Sequence, residues 1–238
     1  MSPHTCLVSG ATRGIGFAIA DALLARGDSV MITGRDATRV EAAVTELAGR
    51  CGDASRVAGT AVDVRDRAGV DRLVADVVAR FGRLTVLVNN AGVGVFGNLE
   101  TTTDEEWARV MDTNVTGPFF LTRAAIPALR RAGGGWIVNI ASLAGRNYFP
   151  QGSAYCASKA ALIAMSESVM QEVRFDNIRV SVIMPGSVAT DFSPRSAGDD
   201  SWKLTGDDVA EVVVDLLRHP GRSLPSRVEI RPSQPKKG

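Results

Sequence analysis

The stretch "SGATRGIGFAIA", residues 9–20, overlaps the end of a short apolar run, "TCLVSG", and opens a helical pattern over Gly14–Arg26. Gly10, Gly14 and Gly16 fall in and around the turn between the two. A tight turn without β-carbons lets backbone approach a pyrophosphate, which then rests at the positive end of the following helix. The spacing is G-x-x-x-G-x-G rather than the common G-x-G-x-x-G. Its weight comes from its place between the first strand and the first helix.

Outward from this turn the same alternation repeats to the end of the chain. "DSVMITG", "VAGTAVD", "LTVLVNN", "GGWIVNIAS", "IRVSVIMPG" and "SRVEIRP" join "TCLVSG" as seven strand-like runs. Their interiors are near-continuously apolar, as in parallel strands covered on both faces. Helical patterns lie between them over Ala37–Gly49, Asp66–Phe81, Asp104–Arg131, Ser153–Arg174 and Thr205–Arg218, the last opening on a capping-box pair, Thr205 and Asp208. This order predicts a single α/β domain over residues 1–238, a doubly wound, seven-stranded parallel sheet of Rossmann type with helices on both faces. Ser187–Leu204, rich in Ser, Asp and Gly, is the irregular exception and the candidate flap.

Composition narrows the chemistry. Apolar residues make up 45% of the 238, ample for one large core, and the formal net charge of +1 gives no general affinity for nucleic acid. Lys236 and Lys237 form a cationic pair that reads as a solvated tail. No stretch approaches the ~18 continuous apolar residues of a membrane span. "MSPHTCLVSG" lacks the pattern of a secretory signal, so a cytoplasmic location is expected. The cysteines, Cys6, Cys51 and Cys156, are too few and scattered for a disulfide framework or a zinc site, and no metal is expected. With only His4 and His219 as histidines, a Ser-His-Asp triad is disfavoured and proton chemistry must come from other side chains.

Two places supply such side chains. The second strand ends in Thr33-Gly34-Arg35, where sites that prefer NAD carry a carboxylate for the ribose 2′-hydroxyl. Arg35 and Arg13 suit the 2′-phosphate of NADP instead. The competing reading is a pair of exposed arginines, with Asp36 accepting a ribose hydroxyl. In "SAYCASKAAL", residues 153–162, Tyr155 and Lys159 stand four residues apart and share one helix face. A phenol titrates near ~10, and a neighbouring ammonium favours its anion, so Lys159 is expected to draw Tyr155 toward a useful acidity. An isolated pair of this kind is more often an amphipathic surface feature.

Taken with "NNAG" at Asn89–Gly92, Asn114, Ser142 and "PGSVAT" at Pro185–Thr190, the glycine loop and the Y-x-x-x-K pair resemble the short-chain dehydrogenase/reductase family over essentially the whole chain. Ser9 stands where that family more often has threonine. The resemblance implies that Arg13, Ile15 and the loop glycines Gly10, Gly14 and Gly16, with Thr12 beside them, hold the pyrophosphate, and that Arg35 meets the 2′-phosphate. It implies that Asp63 and Val64 border the adenine and that Asn90, Ala91 and Gly92 line the cofactor channel. Pro185, Gly186, Val188 and Thr190 complete the cofactor-binding set, the last two at the nicotinamide end. Asn114, Ser142, Tyr155 and Lys159 would form the catalytic tetrad, Lys159 bonding the nicotinamide ribose and Asn114 holding a water in a proton relay.

The activity so implied is hydride transfer between NADP(H) and a carbonyl or alcohol substrate, with Tyr155 exchanging the proton and Ser142 steadying the substrate oxygen. Reduction of 3-oxoacyl thioesters, or an idle NADP-binding sensor or scaffold, are the competing functions. The resemblance also implies a homo-oligomer, dimer or tetramer, built on the helices over Asp104–Arg131 and Ser153–Arg174. The substrate wall is expected from Val93–Leu99, Leu143–Gln151 and the flap, which offer Val95, Phe96, Leu143, Tyr148, Phe149, Phe192 and Trp202. These point to an uncharged, partly apolar carbonyl, unless Arg146 and Arg195 steer an anion.

Overall fold

The computed structural model describes residues 3–190 and 200–234. Each apolar run becomes a strand: β1 (Thr5–Ser9), β2 (Ser29–Gly34), β3 (Val57–Ala61), β4 (Val86–Asn89), β5 (Gly135–Ile140), β6 (Ile178–Pro185) and β7 (Arg227–Ile230). They form one sheet in the order β3-β2-β1-β4-β5-β6-β7, with every neighbouring pair parallel. The strand order reverses between β1 and β4, and such a switch opens a crevice at the carboxyl ends.

The helices are α1 (Gly14–Ala25), α2 (Ala37–Cys51), α3 (Arg67–Phe81), α4 (Asp104–Met111), α5 (Gly117–Arg131), α6 (Ser153–Val173) and α7 (Gly206–Arg218). Side chains alternate across a strand, so Cys6 and Val8 of β1 pack with Ile19 and Leu23 of α1, Leu47 of α2 and Val213 of α7. Leu7 faces the opposite way, toward Leu73 and Val77 of α3 and Leu121 and Leu129 of α5. A smaller cluster joins Leu162 and Ile163 of α6 to Val182 and Met184 of β6. The capping box expected for α7 is present: Thr205 N donates to Asp208 Oδ2 at 2.7 Å and Asp208 N to Thr205 Oγ1 at 3.3 Å.

The structure corrects the sequence reading in two respects. The continuous burial expected of all strands holds for β1 and β4 but not for β3 or β7, where burial alternates. Both lie at sheet edges, where helices cover less. The single helix expected over Asp104–Arg131 is interrupted by a π-helical turn at Asp112–Thr116, in which Gly117 N–H reaches back to the carbonyl of Asp112. Pro118 has no N–H to offer the carbonyl of Asn114 four residues earlier, so regular α geometry was already broken there. Of the expected flap, residues 191–199 lie outside those described, and with them Phe192 and Arg195, as do Lys236 and Lys237 of the tail. Among the described residues no helix is long and apolar enough to cross a membrane.

Candidate active site

A cleft of about 1070 Å³ follows the carboxyl ends of the strands across the switch point. Its floor comes in turn from Gly10 after β1, Thr33, Gly34 and Arg35 at β2, Asp63 after β3, Asn90 after β4, Ser142 after β5, and Pro185 and Gly186 at the end of β6. One end is cationic, with Arg13, Arg35 and Arg39; the other holds Ser142, Tyr155 and Lys159, and the rings of Phe96 and Phe149 line the same space. Thr12, Gly14, Ile15, Val64, Ala91, Gly92, Val188 and Thr190 line it as well.

Gly16 and Asn114, also expected as site residues, do not line the cleft. A β-carbon on Gly16 would stand 2.4 Å from both Asn90 Nδ2 and the Gly10 carbonyl, so this glycine exists for close packing of the first turn of α1 against the two loops. Gly16→Ala is expected to cost about 1–3 kcal/mol by overpacking, read as a lower denaturation midpoint. Asn90 lines the cleft, yet its side chain serves the same bracing, donating to the carbonyls of Ser9 and Gly10 at 3.0 Å each. Ser9 completes the brace by accepting from the backbone N–H groups of Asn90 and Ala91 at 3.0 and 3.1 Å.

At the catalytic end, Asn114 is fully buried in the π turn. Its amide is held on both sides of Val93, accepting from Val93 N and donating to Val93 O at 2.8 Å each, and donates to Ser158 Oγ at 3.0 Å. The side chain is therefore committed. The Asn114 carbonyl lies four residues before Pro118, which has no N–H to donate to it. Ser142 caps a short turn through Ala144 N at 3.1 Å and is hydrogen-bonded to Tyr155. Lys159 is 5% exposed and donates from Nζ to the carbonyl of Ile140 at 3.0 Å.

The electrostatics differ from the expectation that Lys159 acidifies the phenol. Burial is the largest influence on Tyr155 and raises its pKa, the Ser142 hydrogen bond draws it down, and Cys156 adds a further upward push. Burial also pushes Lys159 down to about 8. The ammonium lies 5.8 Å from the phenol ring centroid and is turned to the Ile140 carbonyl, so desolvation outweighs its field at the phenol. Tyr155 is thus held protonated through neutral pH. At the cationic end Asp63 is chelated by Arg65, Nη2 to Oδ2 at 2.6 Å, and this hydrogen bonding holds its carboxyl below the ordinary range.

Of the expected substrate wall, Phe96, Leu143, Phe149 and Trp202 line the cleft, whereas Val95 and Tyr148 do not. Tyr148 is 71% exposed, and Arg146 is turned away to Glu229 at 3.0 Å. Phe96 meets the Tyr155 ring edge-on, centroids 5.4 Å apart. Sequence reasoning missed Arg39, Asp200, Lys203 and Arg231, all in the cleft wall. Arg39 was findable, since it stands four residues after Arg35, in the first turn of the helix that follows; the other three depend on how the chain returns to β7.

The residues fit a nicotinamide dinucleotide. The cleft joins a cationic corner, a glycine turn at the start of α1 and a phenol–ammonium pair in one continuous space. The model of the short chain dehydrogenase family matches residues 4–200. An uncharacterised oxidoreductase of Staphylococcus saprophyticus is 33% identical, the match covering 98% of each chain. Among solved structures, an alcohol dehydrogenase from the archaeon Thermococcus sibiricus, complexed with 5-hydroxy-NADP, superposes with a TM-score of 0.90 at 29% identity over 99% of this chain and 100% of that one. A metagenomic short-chain oxidoreductase in complex with NADP gives a TM-score of 0.84 at 37% identity over 98% and 99%.

Proposed function

Since this chain belongs to the short-chain dehydrogenase family, and so is an oxidoreductase, we propose that it transfers hydride between NADP(H) and a carbonyl or alcohol substrate. The observation that carries this reading is the joining of the arginine corner and the Ser142–Tyr155–Lys159 group by one cleft. The NADP bound by the two structural relatives supports the cofactor assignment.

When bound, the dinucleotide would supply the hydride. Arg13, Arg35 and Arg39 would bind its 2′-phosphate, and the N-terminus of α1 with the loop backbone would receive its pyrophosphate. Lys159, buried and still mostly charged at neutral pH with a pKa of about 8, holds the ribose hydroxyls near the phenol. Ser142 fixes the substrate oxygen, and Tyr155, protonated at neutral pH, gives up its proton as negative charge develops on that oxygen. The Asn114 carbonyl holds a water through which Lys159 restores that proton. Phe96, Leu143 and Phe149 exclude water around an apolar carbonyl compound.

The test is NADPH oxidation with a panel of ketones, aldehydes, quinones and 3-oxoacyl thioesters. Arg35→Ala is expected to weaken NADPH binding by about 10-fold or more, the loss of a charge-assisted contact, and to leave NADH binding within twofold. Titration of both nucleotides by isothermal calorimetry measures this. Equal losses for NADH and NADPH would remove Arg35 from the 2′-phosphate site.

A further inference from the structure

Ser158 lies between the tetrad residues, and neither the activity proposed above nor the family resemblance gives it a part. It is fully buried on α6. Its hydroxyl donates to the carbonyl of Tyr155 at 2.7 Å and accepts from Asn114 Nδ2 at 3.0 Å. Asn114 in turn grips both backbone groups of Val93 at 2.8 Å. A continuous hydrogen-bonded strut therefore runs from the loop after β4, through the π turn, to the backbone of the residue that carries the phenol.

The start of α6 needs such a strut. Tyr155 is the third residue of this helix, inside the turn whose first N–H groups have no helical acceptors. The N-cap is Gly152, which has no side chain to cap with, no acidic residue stands in the first turn, and Gln151 before it has a φ of +66°. Helix ends of this kind open most easily. A serine hydroxyl bonded back to the preceding turn usually weakens a helix slightly; here the same hydroxyl is anchored on its other side to a buried amide outside the helix.

We propose that Ser158 is a positioning residue, which fixes the first turn of α6 to Asn114 and so holds the Tyr155 hydroxyl in reach of Ser142 and the substrate oxygen. This rests on Tyr155 being the proton donor for its kinetic consequence, but not for its structural one. Ser158→Ala removes the strut and leaves one Asn114 N–H without an acceptor. The matched control is Ser166→Ala: Ser166, on the same helix and 3% exposed, donates to Leu162 O at 2.6 Å and accepts from Asn139 Nδ2 at 2.8 Å. It loses the same kind of bonds two turns farther along.

Two measurements test this. In the protein without added nucleotide, amide hydrogen exchange over residues 153–157 is expected to be about tenfold faster in Ser158→Ala and unchanged in Ser166→Ala. With the best substrate of the panel, kcat of Ser158→Ala is expected to fall about 10- to 100-fold, the usual consequence of a misplaced catalytic group, with KM and the NADPH Kd within twofold of wild type. Equal kcat losses in the two variants, unchanged exchange, or failure of Ser158→Ala to fold while Ser166→Ala folds would each reduce Ser158 to a general packing role and overturn the proposal. If wild type reduces none of the panel, it is the activity reading that falls. The exchange comparison then decides the strut alone.

Discussion

Tyr155→Phe is expected to lower kcat by about 10²–10⁴-fold, the range that a positioned proton donor contributes, and to leave NADPH binding intact. The substitution removes one oxygen. The ring keeps its edge-on contact with Phe96, and the Lys159 bond to Ile140 involves no atom of the phenol hydroxyl. Ser142 loses its partner but keeps its bond from Ala144 N. Binding and chemistry should therefore separate cleanly, and calorimetric titration alongside initial rates reads both. Turnover within threefold of wild type would remove Tyr155 from the chemistry. A parallel loss of NADPH affinity would instead mean that the variant had disturbed the cleft.

Lys159→Met is expected to abolish turnover and yet stabilise the folded protein at pH 7. A lysine whose pKa falls from 10.5 to about 8 on folding carries its charge into a place that resists it. That difference corresponds to a penalty on the order of 3 kcal/mol, from which the lost bond to the Ile140 carbonyl subtracts about 1 kcal/mol. The linkage has a definite sign. Below about pH 8 the lysine is charged in both the folded and unfolded chain, and the penalty is present in full. Between about 8 and 10.5 the unfolded chain binds the extra proton, so raising the pH stabilises the wild-type fold. Urea unfolding should thus show Lys159→Met ahead by about 2 kcal/mol at pH 7, with wild type closing the gap by pH 9.5. Keeping below pH 10 avoids the opposite contribution of Tyr155, whose raised pKa lowers stability once the unfolded phenol ionises. A Lys159→Met variant less stable than wild type at pH 7 would refute the buried charge as a net burden.

The parallel sheet was legible because it rests on local patterns, apolar runs separated by helical stripes. The order of the strands, and with it the switch between β1 and β4, depends on pairings between distant segments and came only with the structure. Side-chain commitments were not legible. Nothing in "NNAG" says that Asn90 spends its amide on Ser9 and Gly10, or that Asn114 spends its own on Val93 and Ser158. These are contacts between segments far apart in sequence. The sign of the Tyr155 shift was misread for a related reason. Helical spacing places the ammonium one turn away, but burial, which outweighs that field, depends on the walls of the cleft. Arg39, though findable, was passed over because its spacing from Asp36 reads as an ordinary exposed helical ion pair, and the two do meet at 3.6 Å.

The π turn at Asp112–Thr116 has one consequence for how this segment can vary. One residue beyond the α repeat shifts everything after it by roughly 100° about the axis, so α4 and α5 meet as two lattices across a dislocation. α5 buries a full stripe, including Leu121, Ala125, Ala128 and Leu129, whereas α4 buries only Val110. Deleting a single residue would anneal the fault, and the chain could then keep either the seating of α5 on the sheet or the Asn114 amide against Val93, but not both. The count of residues from Asp104 to Arg131 is therefore a structural constant, and this stretch should accept exchanges of side chain far more readily than any change in length.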